Sequence, residues 1–186
     1  VVAETASTNA DLRERAAGEG ATEAARLLTE LAALLIELRE QHTEGMAVLR
    51  EASELAPEDE PLFVRVTERL EQHGGPGVPE LAKWLASAAT RPFSLPVRVA
   101  ALRRAAALFG GRLAQPVRAR DLLRTAASLA PQDMDVCREL VAAARIADDP
   151  LPLAEVLARI AAGQMAPLPE LDHDAALREL AAVYER

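Results

Sequence analysis

Histidine and cysteine, the residue types that most often do chemistry in proteins, are few in this sequence and lie far apart. His42, His73 and His173 show no two-histidine metal spacing such as H-E-x-x-H. Asp172-His173-Asp174 could form a small metal cluster, but a polar helix start with Asp172 near the cap is the favoured interpretation. We therefore predict no metal site.

Cys137 is the single cysteine, so no disulfide can form within the chain. It shares an apolar pattern with Leu140, Val141 and Ala144, and a nucleophilic thiol would need a histidine held against it. We interpret it as a buried structural thiol. A lone cysteine suits a reducing compartment, so the cytoplasm is favoured, and bacterial export stays open.

Two further motifs resemble sites for phosphate or for acid–base chemistry. Gly74-Gly75-Pro76-Gly77 lacks the Lys-Ser/Thr and the preceding strand of a phosphate-binding loop, so it is predicted to be a linker. Glu58-Asp59-Glu60 stands at a predicted helix start, where the helix dipole favours negative charge. No pair of carboxylates stands out as catalytic. We predict a protein without a cofactor that is not an enzyme.

The arginines are concentrated in residues 91–124. Eight arginines there face the single acid Asp121, giving a formal charge of +7 in a chain whose net charge is −8. The acidic total disfavours binding to nucleic acid or to anionic membranes. The arginines could bind an acidic peptide, or they could pair with acids of neighbouring helices, which we favour because the flanks are acidic. The candidate binding residues are Arg98, Arg103, Arg104, Arg112 and Arg120.

The helices that would position these residues follow from apolar spacing. Apolar residues recur at three- and four-residue intervals, without the alternation of a strand, so we predict an all-α chain. Glycines at 18, 20, 74–75 and 110–111 should end helices in the left-handed conformation, and Asp149 before Pro150 should cap one. The predicted helices, nine or ten in all, cover residues 8–17, 21–41, 43–55, 60–73, 78–89, 95–109, 116–129, 133–147, 150–162 and 172–186.

An internal repeat connects two parts of the chain. The segment EASELAPED at 51–59 returns as TAASLAPQD at 125–133, a period of 74 residues. Two helix-turn-helix units, each of about 37 residues, would fill this period. Because a single helix pair cannot bury its apolar stripe alone, we expect antiparallel pairs to stack on one another as a solenoid.

The spacing within the repeat resembles that of the tetratricopeptide family. Adjacent small residues stand at Ala32-Ala33 and Ala106-Ala107 in the first helices, although Arg103 and Gly110 occupy positions where the family has Trp and Tyr. The second helices show the family's small, bulky, small and proline residues at Gly45, Leu49, Ala52 and Pro57, and at Ala119, Leu123, Ala126 and Pro131.

This resemblance implies a tetratricopeptide-like right-handed superhelix over residues 21–168. Residues 1–20 would be an N-terminal helix or linker, and residues 169–186 a terminal helix from a truncated repeat or cap. The concave groove of such a stack would include Ala101, Arg104 and Leu108, without the family's carboxylate clamp, because Ala105 and Leu108 stand where its Asn neighbours would be.

The resemblance further implies a scaffold or adaptor that binds a peptide, acidic if the arginines contact it, or a partner subunit. Such a chain could belong to a longer repeat protein or complex. The alternative is a helical regulatory or accessory domain of a larger enzyme or signalling protein.

Overall fold

The computed structural model describes residues 20–39, 42–56, 58–72, 77–168 and 173–185. In these ranges the chain is helical and contains no strand, which confirms the predicted all-α class. None of the helices in the described ranges has the length and apolarity to cross a membrane. The predicted helix at 8–17 lies outside the described residues. The α-helices are α1 Ala21–Arg39, α2 His42–Leu55, α3 Glu60–Gln72, α4 Val78–Ala86, α5 Leu95–Gly110, α6 Pro116–Leu129, α7 Met134–Ile146, α8 Pro150–Ala161 and α9 His173–Tyr184.

Proline and aspartate fix several helix starts. α6 begins at Pro116 and α8 at Pro150, where the missing N–H leaves no helical hydrogen bond unmade. The carboxylate of Asp149 accepts a hydrogen bond from the Leu151 N–H at 3.1 Å, which confirms the predicted cap. These ends therefore follow directly from local sequence.

α4 is shorter than predicted. The α-helix ends at Ala86, and the chain continues as a 3₁₀ helix over Ser87–Thr90. The Ser87 hydroxyl donates to the Trp84 carbonyl at 2.7 Å. A side-chain hydrogen bond of this kind competes with the regular helical pattern, so the last turn tightens.

The glycines after α5 have a different role from the predicted one. α5 continues through Gly110, and Gly111 has φ −86°, so neither residue adopts the left-handed conformation, which Ala114 adopts instead at φ 50°. A Cβ atom on Gly110 would lie 3.3 Å from the Cβ of Ala119 on α6. Gly110 therefore allows α5 and α6 to approach closely, because a Cβ atom there would make a tight contact with Ala119.

The described residues form two compact units. The first contains α1, α2, α3 and residues 91–93. α1 packs along α2, and α3 contacts both. The rings of Phe63 and Phe93 lie 4.9 Å apart between centroids, and the guanidinium of Arg91 lies 5.7 Å from each centroid. These aromatic contacts fix the short segment 91–93 within the first unit.

The second unit contains α4 to α9, and each helix contacts the next one along the chain. Its core is one continuous cluster that includes Leu102, Phe109, Leu140 and Leu157. Ion pairs also connect helices that are two apart in chain order, since they join α5 to α7, α6 to α8 and α7 to α9. The pairs are Arg103–Glu139 at 2.5 Å, Arg124–Glu155 at 2.6 Å and Arg145–Glu179 at 2.7 Å.

The 74-residue repeat reappears in the burial and capping of both units. Asp59 accepts a hydrogen bond from the Leu62 N–H at 2.8 Å, and its equivalent Asp133 accepts one from the Val136 N–H at 3.1 Å. At these capping positions and in the core, residues 74 positions apart share the same structural role. Buried equivalents are Leu28 and Leu102, Ala32 and Ala106, Leu49 and Leu123, Ala52 and Ala126, and Val66 and Leu140.

Candidate partner-binding groove

An open groove of about 550 Å³ lies between α5, α6 and α7 in the second unit. Small side chains form most of its lining, and Ile146 at the end of α7 borders it with 74% of its surface exposed. We call this the α5–α7 groove. The lining residues are Ala100, Arg103, Arg104, Ala106, Ala107, Gly110, Gly111, Ala119, Leu123, Glu139, Ala142, Ala143 and Ile146.

The smallness of the lining follows from helix packing. Gly110 lies opposite Ala119 where α5 and α6 approach closely, and the same two residues line the groove. Ala107 and Ala142 are exposed on α5 and α7, where a larger side chain would fill the space. The sequence features that bring the helices together therefore also leave an apolar depression beside them.

Arg103 and Glu139 form an ion pair at the groove. The Nε of Arg103 donates to Oε2 of Glu139 at 3.0 Å and its Nη2 to Oε1 at 2.5 Å, a two-point contact. The hydrogen bond with Glu139 raises the pKa of Arg103. Both side chains keep about a third of their surface exposed, 32% and 37%, so the pair contributes about 0–1 kcal/mol to stability.

Arg104 is the other cation of the groove lining, and it is exposed. Together with Arg103 and Glu139 it gives the lining a formal charge of +1. Of the positions expected to face a concave groove, Arg104 lines it, whereas Ala101 is buried with 4% exposure and Leu108 is half-buried. The groove is therefore apolar with a net positive border.

The other three candidate arginines lie outside the groove lining. The Nη2 of Arg98 donates to the Ala89 carbonyl at 2.7 Å, and its buried Nε has no hydrogen-bond partner. Arg112 is exposed in the turn after α5.

Arg120 is enclosed by acids of its own chain. Its side chain is only 15% exposed and contacts Asp121 and Asp149, each at 2.5 Å. The hydrogen bond with Asp121 raises the pKa of Arg120. Arg120 therefore contributes to the joining of α6 with the start of α8, and the five candidates do not form one continuous surface.

Comparison of the two repeat copies separates packing residues from the charged groove residues. The equivalents of Arg103, Arg104 and Glu139 in the first copy are Thr29, Glu30 and Arg65. Thr29 is buried, and its hydroxyl donates to the Ala25 carbonyl at 2.8 Å. The first copy therefore has a neutral residue in place of Arg103 and opposite charges in place of Arg104 and Glu139, so the charged groove residues belong to the second copy alone.

Two residues of the site could not be singled out from the sequence motifs. Glu139 reaches Arg103 from 36 positions along the chain, and Ile146 is an exposed apolar side chain at a helix end. Glu139 could have been found by comparing residues 74 positions apart, because its equivalent in the first copy, Arg65, has the opposite charge.

In the described ranges, no group of three or more histidine, cysteine or acidic side chains is arranged to hold a metal ion. Comparison with known proteins finds no family model, no curated protein and no solved structure that matches the chain.

Proposed function

We propose that this protein is an interaction scaffold or adaptor that binds a segment of a partner protein in the α5–α7 groove. The observation that supports this role is the open groove itself, about 550 Å³ in volume, with a lining of small apolar residues and an arginine border. The volume lies within the range typical of binding sites, about 300–1,000 Å³. A binding role of this kind involves no covalent chemistry by the chain.

We further propose that the helices form a tetratricopeptide-like stack of antiparallel pairs. Two observations support it: residues 74 positions apart are buried and capped alike, and ion pairs connect helices two apart in chain order. The first is expected of an array of repeated helix pairs, and the second is expected when equivalent helices of successive pairs lie side by side. Such a stack would present its grooves to partner segments.

The groove proposal is tested by selecting random peptides displayed on phage against the purified protein. Selection is repeated on Ala107→Trp, which should fill the groove, and on Ala158→Trp as the matched control. Both positions are exposed helical alanines of the second unit, and Ala158 does not line the groove. Circular dichroism spectra and urea unfolding of both variants establish that the fold is kept.

Peptides enriched on the wild type and on Ala158→Trp, but not on Ala107→Trp, would support the proposal. A partner captured in the cell by a photo-crosslinking residue at position 107, and not at position 158, would extend the result to the natural ligand. Enrichment that is equal on all three proteins would overturn the assignment of the groove.

A further inference from the structure

We propose that the α5–α7 groove takes a partner segment with a large apolar side chain next to a carboxylate, and that Glu139 holds Arg103 until that carboxylate replaces it. The inference rests on the proposed function, because it names the chemistry of the segment that the groove binds. In this proposal Glu139 competes with the partner's carboxylate for Arg103.

The apolar part of the partner follows from the floor of the groove. Ten of the thirteen lining residues are alanine, glycine, leucine or isoleucine. The exposed alanines Ala107 and Ala142 leave room above the floor, and Ile146 offers an uncovered aliphatic side chain at one border. Burying apolar surface against these residues would provide the main favourable contribution to binding.

The acidic part of the partner follows from charge complementarity. Two arginines and one glutamate border the lining, which leaves a net positive charge there even though the whole chain is acidic. Arginine presents a planar fork of donors that matches the two oxygens of a carboxylate. Arg104 is exposed at this border and lines the groove.

Glu139 already makes the contact that an incoming carboxylate would make. It accepts two hydrogen bonds from Arg103, through Oε1 and Oε2, in the geometry typical of arginine–carboxylate recognition. Because both side chains are partly exposed, solvent screens the pair, and exchange of one carboxylate for another is inexpensive. The first repeat copy has Thr29 and Arg65 at these positions, so the pair is specific to the copy that carries the groove.

The test uses two synthetic peptides with blocked ends. One has a Leu-Phe-Leu centre flanked on each side by Glu-Asp, and the other has Lys in place of every acid. Affinities are measured by isothermal titration calorimetry for the wild type, Glu139→Gln, Arg104→Glu and Ala107→Trp. Arg138→Glu is the matched control, because Arg138 is an exposed arginine on α7 that pairs with Asp135 and does not line the groove.

The acidic peptide should bind the wild type more tightly than the lysine peptide. Glu139→Gln should tighten it about 3-fold, because the competitor loses its charge, and Arg104→Glu should weaken it about 3- to 10-fold. Ala107→Trp should abolish binding, and Arg138→Glu should leave it within about 2-fold of the wild type.

The remaining outcomes separate the two proposals. Equal binding of both peptides, abolished by Ala107→Trp, would overturn the charge inference and leave the groove as a binding site. Weaker binding of the acidic peptide to Glu139→Gln would show that Glu139 positions Arg103 rather than competing for it. Failure of both peptides alongside groove-dependent peptides from phage display would overturn this inference alone, and failure of both experiments would overturn the proposed function as well.

Discussion

Ala126 is a small residue that its surroundings require. Its side chain is completely buried, as is that of its repeat equivalent Ala52. Ala126→Leu should lower the free energy of unfolding by about 1–3 kcal/mol, because extra methyl groups must displace packed neighbours. Urea unfolding would show this as a lower midpoint with an unchanged slope.

The control for this substitution is Ala158→Leu on α8, where the side chain is exposed. That change should alter the free energy of unfolding by less than about 0.5 kcal/mol. Equal losses at the two positions would contradict the assignment of Ala126 to the packed core.

Cys137 should behave as a protected, neutral thiol. It is completely buried, and burial raises its pKa above the ordinary value of 9.0. At pH 8 the folded protein should therefore react slowly with Ellman's reagent, and urea-unfolded protein should react at once. Rapid reaction of the folded protein would contradict this burial.

The raised pKa of Cys137 makes the free energy of unfolding depend on pH. Because the folded-state pKa lies above the unfolded one, the folded protein keeps its proton longer, and stability falls as the pH rises above about 9. Cys137→Ala should reduce this alkaline loss when free energies of unfolding are compared over a pH series. Identical slopes in the two proteins would exclude a contribution from the thiol.

At the scale of the element, the start of α7 depends on one carboxylate. Asp133 accepts hydrogen bonds from the N–H groups of Asp135 and Val136, at 3.0 and 3.1 Å. Asp133→Ala should lower the free energy of unfolding by about 0.5–2 kcal/mol, measured by thermal or urea unfolding. Asp133→Asn is the control, since asparagine caps equally well without charge, and it should retain most of the stability. A loss as large in the asparagine variant would point to charge rather than capping.

Local signals in the sequence were sufficient to predict the class of the fold and most helix ends. α6 begins at Pro116 and ends at Leu129 as predicted, because the effects of proline and of apolar spacing on helix formation extend over only a few residues. Gly110 was misjudged for the opposite reason. Its small size matters because it packs against Ala119 on another helix, and a contact between helices cannot be inferred from the residues next to it in sequence.

The groove was predictable only in part for the same physical reason. A cluster of arginines is visible in composition, but the partner of each arginine depends on the helix that lies beside it. Arg103 meets Glu139 from α7, and Arg120 meets Asp149 at the start of α8. Sequence alone therefore could not separate the arginines that border the groove from those that join helices.

At the scale of the whole molecule, the chain passes between the two compact units three times, at residues 77–78, 90–91 and 93–94. The short segment 91–93 belongs to the first unit, although helices of the second unit precede and follow it in sequence. Phe93 fixes the segment, since it is 6% exposed and packs on Phe63. A substitution there should affect the unit that it packs in rather than the helices next to it in sequence.

Phe93→Ala should therefore destabilise the first unit, by about 3–5 kcal/mol, because it leaves a cavity beside Phe63. Hydrogen exchange should show faster exchange of α3 amides and little change in α6 to α8. Phe109→Ala removes a ring of the second unit that is 1% exposed and lies beneath Arg118. This variant should show faster exchange of amides in α6 to α8 and little change in α3. Because local unfolding is often confined to one cooperative unit, each loss should stay within its own compact unit. Equal acceleration of exchange throughout both units, in either variant, would instead show that the protein unfolds as a single cooperative body.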